Sequence, residues 1–160
     1  MSLLIITVGG TIDKVYFDAS SEYEVGEPTV PHVYHGALVT LDYEVLPLMR
    51  KDSLEMNEAD RALIRETCEK ADQHQILITH GTDTMADTAE ALLGIEGKTI
   101  VLTGAMAPAR FRETDAVFNI GFATGAVQSL SAGVYIAMNG QVFPAGQVRK
   151  NREARRFEAV

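Results

Sequence analysis

The chain has 160 residues, enough for one domain with a sizeable core, and its 46% apolar and 22% charged residues are those of an ordinary globular protein. Fourteen Lys and Arg against 22 Asp and Glu leave a formal charge of -8, which argues against general binding to nucleic acid or to an anionic membrane surface. One cysteine, Cys68, excludes an intrachain disulfide framework and reads as a small buried hydrophobe.

The first apolar run, residues 3–8, predicts a buried strand that begins almost at once. Its flanks lack the basic start and cleavage pattern of a signal peptide, and no apolar run is long enough to span a bilayer, so a cytoplasmic protein is expected. Gly9-Gly10-Thr11 follows the strand. Residues 13–33 are polar and turn-rich, with Pro28 and Pro31, and predict a long loop of the lid or binding kind. Residues 43–49 predict a strand that Pro47 confines to a sheet edge. Asn57 is placed to cap a helix with acids in its first turn, and Ala59, Leu63, Thr67 and Ala71 recur along one face of it.

Further strands are predicted at 75–79, 98–103 and 133–138, with helices at 85–93 and 115–130. Gly121 and Gly125 weaken the last helix and are expected to let it pack closely on the sheet. Short apolar strands alternating with helices predict an α/β domain with a mostly parallel sheet. The basic cluster Arg149, Lys150, Arg152, Arg155 and Arg156 reads, for most of its members, as a solvated face.

In open α/β sheets ligands bind beyond the carboxyl ends of the strands. Three predicted strands end there in glycine and hydroxyl residues: Gly9-Gly10-Thr11, His80-Gly81-Thr82-Asp83-Thr84 and Thr103-Gly104-Ala105-Met106. Free backbone N–H groups at such turns suit a carboxylate or a developing oxyanion as well as a phosphate. No GxxxxGK[ST] and no GxGxxG is present, so a P-loop and a dinucleotide fingerprint are both excluded, while a flavodoxin-like phosphate loop stays open. His80 follows a buried strand and reads as a hydrogen-bonded structural residue. His32, His35 and His74 lack metal-ligand spacing, so no metal is expected. Asp115 with Asn119 one turn on reads as a structural pair. Thr82 and Asp83 are positioned both to cap the helix that begins at Met85 and to bind a ligand.

VGGTID, ITHGTDTMADTA and VLTGAMAP, in that order and spacing, resemble the signatures of the bacterial-type L-asparaginase family. The resemblance spans the whole chain but only the amino-terminal domain of a typical member. It implies one α/β domain over residues 1–160, three layers deep, with helices on both faces of a mostly parallel sheet of Rossmann or flavodoxin kind, and no smaller carboxy-terminal domain. By position, Thr11 matches the family's first catalytic threonine, and Tyr23 in Tyr-Glu-Val-Gly the tyrosine of its mobile loop. Ser53 matches a serine that binds the substrate α-carboxylate. Thr82 and Asp83 match the second threonine and its neighbour, with Asp83 on the α-amino group. Lys150 matches the lysine beside the second threonine, and Ala105 a residue whose carbonyl orients the amide.

Two departures accompany the match. Leu54 and Glu55 stand where many members have Gln or Ser and then Asp. The glutamate that usually completes the tyrosine's network comes from the absent domain of a neighbouring subunit. The implied activity is hydrolysis of L-asparagine to L-aspartate and ammonia, with no cofactor, in a homodimer or larger homo-oligomer. The alternative is a catalytically weak binding module for asparagine or aspartate.

A threonine hydroxyl needs a base to become a nucleophile. In one arrangement Tyr23 takes the proton of Thr11; in the other Lys150 activates Thr82 and Asp83 orients it. Backbone N–H groups at Gly10, Thr11 or Thr82 are the candidates for an oxyanion hole.

Overall fold

Neighbouring residues of each apolar run point to opposite faces of one sheet, which is why the runs are apolar throughout rather than alternating. The computed structural model describes residues 2–19 and 21–160. Its strands are β1 (Leu3–Gly9), β2 (Lys14–Phe17), β3 (Glu22–Val25), β4 (Tyr43–Lys51), β5 (Gln75–Thr79), β6 (Thr99–Thr103), β7 (Gly133–Met138), β8 (Gln141–Pro144), β9 (Val148–Asn151) and β10 (Arg156–Ala159). Its α-helices are α1 (Val30–Gly36), α2 (Glu58–Lys70), α3 (Met85–Ala91) and α4 (Ala116–Ser129).

Six strands form the main sheet in the order β4-β1-β5-β6-β7-β8, parallel except for β8. Leu4, Ile6, Ile76, Ile78, Ile100 and Leu102 bury one face under α2 and α3, through Ile64, Cys68, Met85 and Ala89. Leu3, Ile5, Leu77 and Val101 bury the other under α1 and α4, through Val30, Tyr34, Ile120 and Ala123. The three layers and the mostly parallel sheet are therefore as predicted. The strand with Pro47 is indeed an edge, hydrogen-bonded only to β1, with Pro47 opposite Thr7.

Asn57 caps α2 in a reciprocal box. Its side chain accepts from Asp60 N at 3.0 Å, and Asp60 accepts from Asn57 N at 3.1 Å. The buried stripe of α2, however, is Arg61, Ile64 and Cys68, not the predicted face of Ala59, Leu63, Thr67 and Ala71. Arg61 misleads the pattern because it is buried as a donor, with Nε 3.2 Å from Thr88 Oγ1. Burial pushes the Cys68 thiol up to about 12, so it is an inert core residue at neutral pH.

Two further expectations are corrected. Residues 13–33 are not a plain loop: they form the β2–β3 hairpin and the first turn of α1. Gly121 and Gly125 do not pack on the sheet. The inner face of α4 is Asn119, Ile120, Ala123, Thr124 and Val127, and a Cβ at either glycine would meet nothing within 4 Å. None of the helices among the described residues is long and apolar enough to cross a membrane.

Candidate active site

Counting only the five parallel strands, the sheet order is 2-1-3-4-5, so the direction of winding reverses between β1 and β5. The carboxyl ends of those two strands open the crevice where doubly wound sheets bind ligands. They are the ends that carry Gly9-Gly10-Thr11 and His80-Gly81-Thr82-Asp83. Thr7, Thr79 and Thr103 sit in register on β1, β5 and β6 beneath them, all buried. The Thr103 hydroxyl donates to Ala137 O at 2.8 Å, while the Thr79 hydroxyl has no partner among the described residues.

The strand ends touch backbone to backbone. Gly10 has φ +91°, and a Cβ there would lie 2.5 Å from both N and Cα of Gly81. A Cβ on Gly81 would in turn lie 2.6 Å from Ser53 Cβ and 2.7 Å from its Oγ. Glycine is thus required at both positions, and the chain segments bearing Thr11, Ser53 and Thr82 are drawn together. Gly10 N donates to Lys51 O at 2.9 Å, which ties β1 to the end of β4. Ser53 is buried in a 3-10 turn. Its Oγ accepts from Thr84 N at 3.3 Å, and its carbonyl accepts from the Thr84 hydroxyl at 2.8 Å.

The β9–β10 hairpin delivers a cation to the second threonine. Lys150 Nζ donates to Thr82 Oγ1 at 2.7 Å and to Asp83 Oδ1 at 2.8 Å. Arg152 Nε donates to the same Asp83 oxygen at 3.1 Å. The Lys150 hydrogen bond, followed by Arg152, holds the Asp83 carboxyl below the usual carboxylate range. Thr82 and Asp83 therefore spend their side chains on Lys150. The expected capping of α3 does not occur: Thr84 is the N-cap residue, and no side chain caps the helix.

Thr11 begins a 3-10 turn beside them, half-buried, its hydroxyl making no hydrogen bond to the described residues. Asp13 anchors this turn. It is buried and accepts from Thr29 N at 3.0 Å and from the Thr29 hydroxyl at 2.8 Å, and desolvation raises its pKa. Tyr23 is carried by the β2–β3 hairpin, outside the main sheet. It is half exposed on β3, its ring against Tyr16 and Phe111, and it lines a cavity of about 350 Å³ with Lys14, Arg50, Asp52 and Glu55. Thr11 and Thr82 do not line that cavity.

Ala105 is buried just past β6. Its turn is held by the predicted structural pair. Asp115 accepts from Met106 N at 2.9 Å, Ala107 N at 3.1 Å and Asn119 Nδ2 at 3.1 Å, and Asn119 Nδ2 also donates to Gly104 O at 2.9 Å. His80 is structural as expected. The carbonyl of Gly81 only accepts, so Nδ1 carries the proton at 2.7 Å and bare Nε2 accepts from the Thr88 hydroxyl at 2.7 Å. Burial drops its pKa to about 4, which keeps the ring neutral in this chain of bonds.

Arg152 is the residue the sequence reading missed, having been grouped with a solvated face. It opens the β9–β10 turn just past Lys150, and no local pattern in the sequence sets it against Asp83.

The family model described as "Asparaginase, N-terminal" matches residues 2–160. The chain belongs to the asparaginase family. L-asparaginase 2 of Escherichia coli is 31% identical over 162 residues, covering 93% of this chain and 46% of that protein. The glutaminase-asparaginase of Pseudomonas fluorescens is 28% identical over 164 residues, covering 93% and 45%. The solved thermostable L-asparaginase of Thermococcus kodakarensis has the same α/β fold, with a TM-score of 0.83 at 23% identity over 100% of this chain and 51% of that one. The chain thus spans about half the length of these asparaginase relatives.

Proposed function

We propose that the protein is a cytoplasmic amidohydrolase that converts L-asparagine to L-aspartate and ammonia through a threonine nucleophile. The observation that carries this reading is the Lys150–Thr82–Asp83 triple at the β1/β5 switch point, beside Thr11, in a chain of the asparaginase family. Thr11 attacks the side-chain amide carbon, and its hydroxyl proton passes to the departing nitrogen, which leaves as ammonia. Water, held near Thr82 and Lys150, then cleaves the acyl-enzyme, releasing aspartate and restoring the Thr11 hydroxyl. Ser53 and Asp83 receive the substrate's α-carboxylate and α-ammonium, and the Ala105 carbonyl orients the amide; the Gly10 N–H is committed to Lys51 O, so the oxyanion falls to the Thr11 or Thr82 N–H. No cofactor enters this scheme.

Ammonia release from L-asparagine and L-glutamine, measured for the parent and for Thr11→Ala and Thr82→Ala, tests it. Loss of turnover by 10³-fold or so is expected in each variant. Turnover that survives Thr11→Ala sinks the choice of nucleophile alone. The exposure of Tyr23, in a cavity that Thr11 does not line, favours a second reading, a binding module without useful turnover. A parent that binds aspartate in a calorimeter yet releases no ammonia establishes the module and removes the enzyme.

The proposal includes a homodimer through α4. This helix carries no charged residue in a chain of net charge -8, and Val117 and Phe118 are exposed on it. Phe118 and Phe122 stack one turn apart, with Gly121 and Gly125 open beside them. Pairing two copies antiparallel about one two-fold axis sets Phe118 of each against Gly125 of the other, and Phe122 against Gly121, a self-complementary contact. Light scattering is expected to give twice the chain mass of 17.4 kDa. Phe118→Asp should return the single-chain mass, and a parent that is monomeric at tens of micromolar refutes the pairing.

A further inference from the structure

The Asp83 carboxylate holds two cations before any substrate arrives. This inference rests on the proposed function, in which the same carboxylate receives the substrate's α-ammonium. Lys150 and Arg152 both donate to its Oδ1, at 2.8 and 3.1 Å. The two are not equivalent. The Lys150 side chain is 14% exposed and is held a second time by Thr82. The Arg152 side chain is 64% exposed, and its bond to Asp83 is the one hydrogen bond it makes to the described residues. A third cation at Asp83 must therefore displace Arg152 or sit against its charge, whereas Lys150 stays in place.

We infer that Arg152 is a specificity-determining residue. It already shares the Asp83 carboxylate, so the site discriminates weakly in favour of a free α-amino group and also accepts monoamides of dicarboxylic acids that lack one. A deamino substrate such as succinamate keeps the carboxylate that Ser53 would receive and keeps the amide, and it leaves the Arg152–Asp83 pair undisturbed. L-Asparagine must break that pair or bring its ammonium to Asp83 Oδ2 against the Arg152 charge. Exposed ion pairs are weak, so the handicap amounts to a few-fold in affinity, not a block.

The test uses two dicarboxylates that differ only in the amino group. L-Aspartate and succinate are titrated calorimetrically into the parent, Arg152→Ala and Arg152→Lys, and kcat/KM is measured for L-asparagine and succinamate on the same proteins. Arg152→Ala is expected to tighten L-aspartate about fivefold without tightening succinate, and to raise the asparagine-to-succinamate ratio by a similar factor. Arg152→Lys keeps the charge and should keep the parent's ratio. Both ligands binding with an unchanged ratio in Arg152→Ala overturns the inference and leaves the amidohydrolase reading standing. Neither dicarboxylate binding to parent or variant overturns that reading, and this inference with it. Arg152 is exposed in a hairpin turn, so loss of fold does not obscure the outcome.

Discussion

Lys150→Met is expected to lower the turnover number for L-asparagine by about 10³-fold while the protein stays folded. Methionine fills similar space but offers no donor or proton, so Thr82 loses its partner at 2.7 Å and Asp83 its partner at 2.8 Å. The cost to stability is small. The pair is partly exposed, at 14% and 27%, and Arg152 continues to neutralise Asp83, so about 1 kcal/mol or less is expected, read as melting by circular dichroism. The pH dependence sharpens the test. Asp83 is depressed by Lys150 first and by Arg152 after it, so in the parent the carboxylate's contribution is present above the usual carboxylate range and is lost as pH falls through its lowered value. Without Lys150 that value rises, and the acid limb of activity and stability shifts to higher pH. Activity within tenfold of the parent would remove Lys150 from the catalytic assignment.

The sheet was legible in the sequence because its central parallel strands β1, β5 and β6 are buried on both faces and so read as short, mostly apolar runs. The turns at the strand ends were legible for a different reason. Glycine is demanded there by backbone contact, between Gly10 and Gly81 and between Gly81 and Ser53, and such positions admit no other residue. What the pattern concealed has equally specific causes. Arg61 is a buried cation satisfied by Thr88, and it shifts the apparent inner face of α2 to the wrong side. The α4 glycines suggested close packing on the sheet, whereas Ala116 and Ala123 lie inside, the glycines and Phe118 outside, and Phe122 is partly buried against the core. The short antiparallel pairs β2–β3 and β9–β10 lie outside the main sheet and lack its mostly apolar runs. Long-range pairing sets Lys150 and Arg152 against Asp83, 67 and 69 residues away, and local periodicity carries no trace of it.

Gly10→Ala is the substitution expected to damage the fold most for its size. It adds one methyl group, in a backbone conformation with φ +91° that side chains avoid, at 2.5 Å from the backbone of Gly81. Strain of about 1 kcal/mol from the dihedral and about 2 kcal/mol from the overlap together lower stability by roughly 3 kcal/mol. For a chain of this length that corresponds to a drop of about 10 °C in Tm. Because the overlap is with backbone on both sides, relief comes only by parting the ends of β1 and β5. The same movement separates Thr11 from Thr82, and misplacement on the scale of 1 Å costs about 10²-fold in rate. Gly36→Ala supplies the control. A Cβ there meets nothing within 4 Å, and the position lies in the last turn of α1, so its stability should be unchanged or up to about 1 kcal/mol higher. Should Gly10→Ala melt with the parent and turn over normally, the close approach of the two strand ends would not be what assembles the threonines. The site would then have to be held from the β9–β10 side, through Lys150 alone.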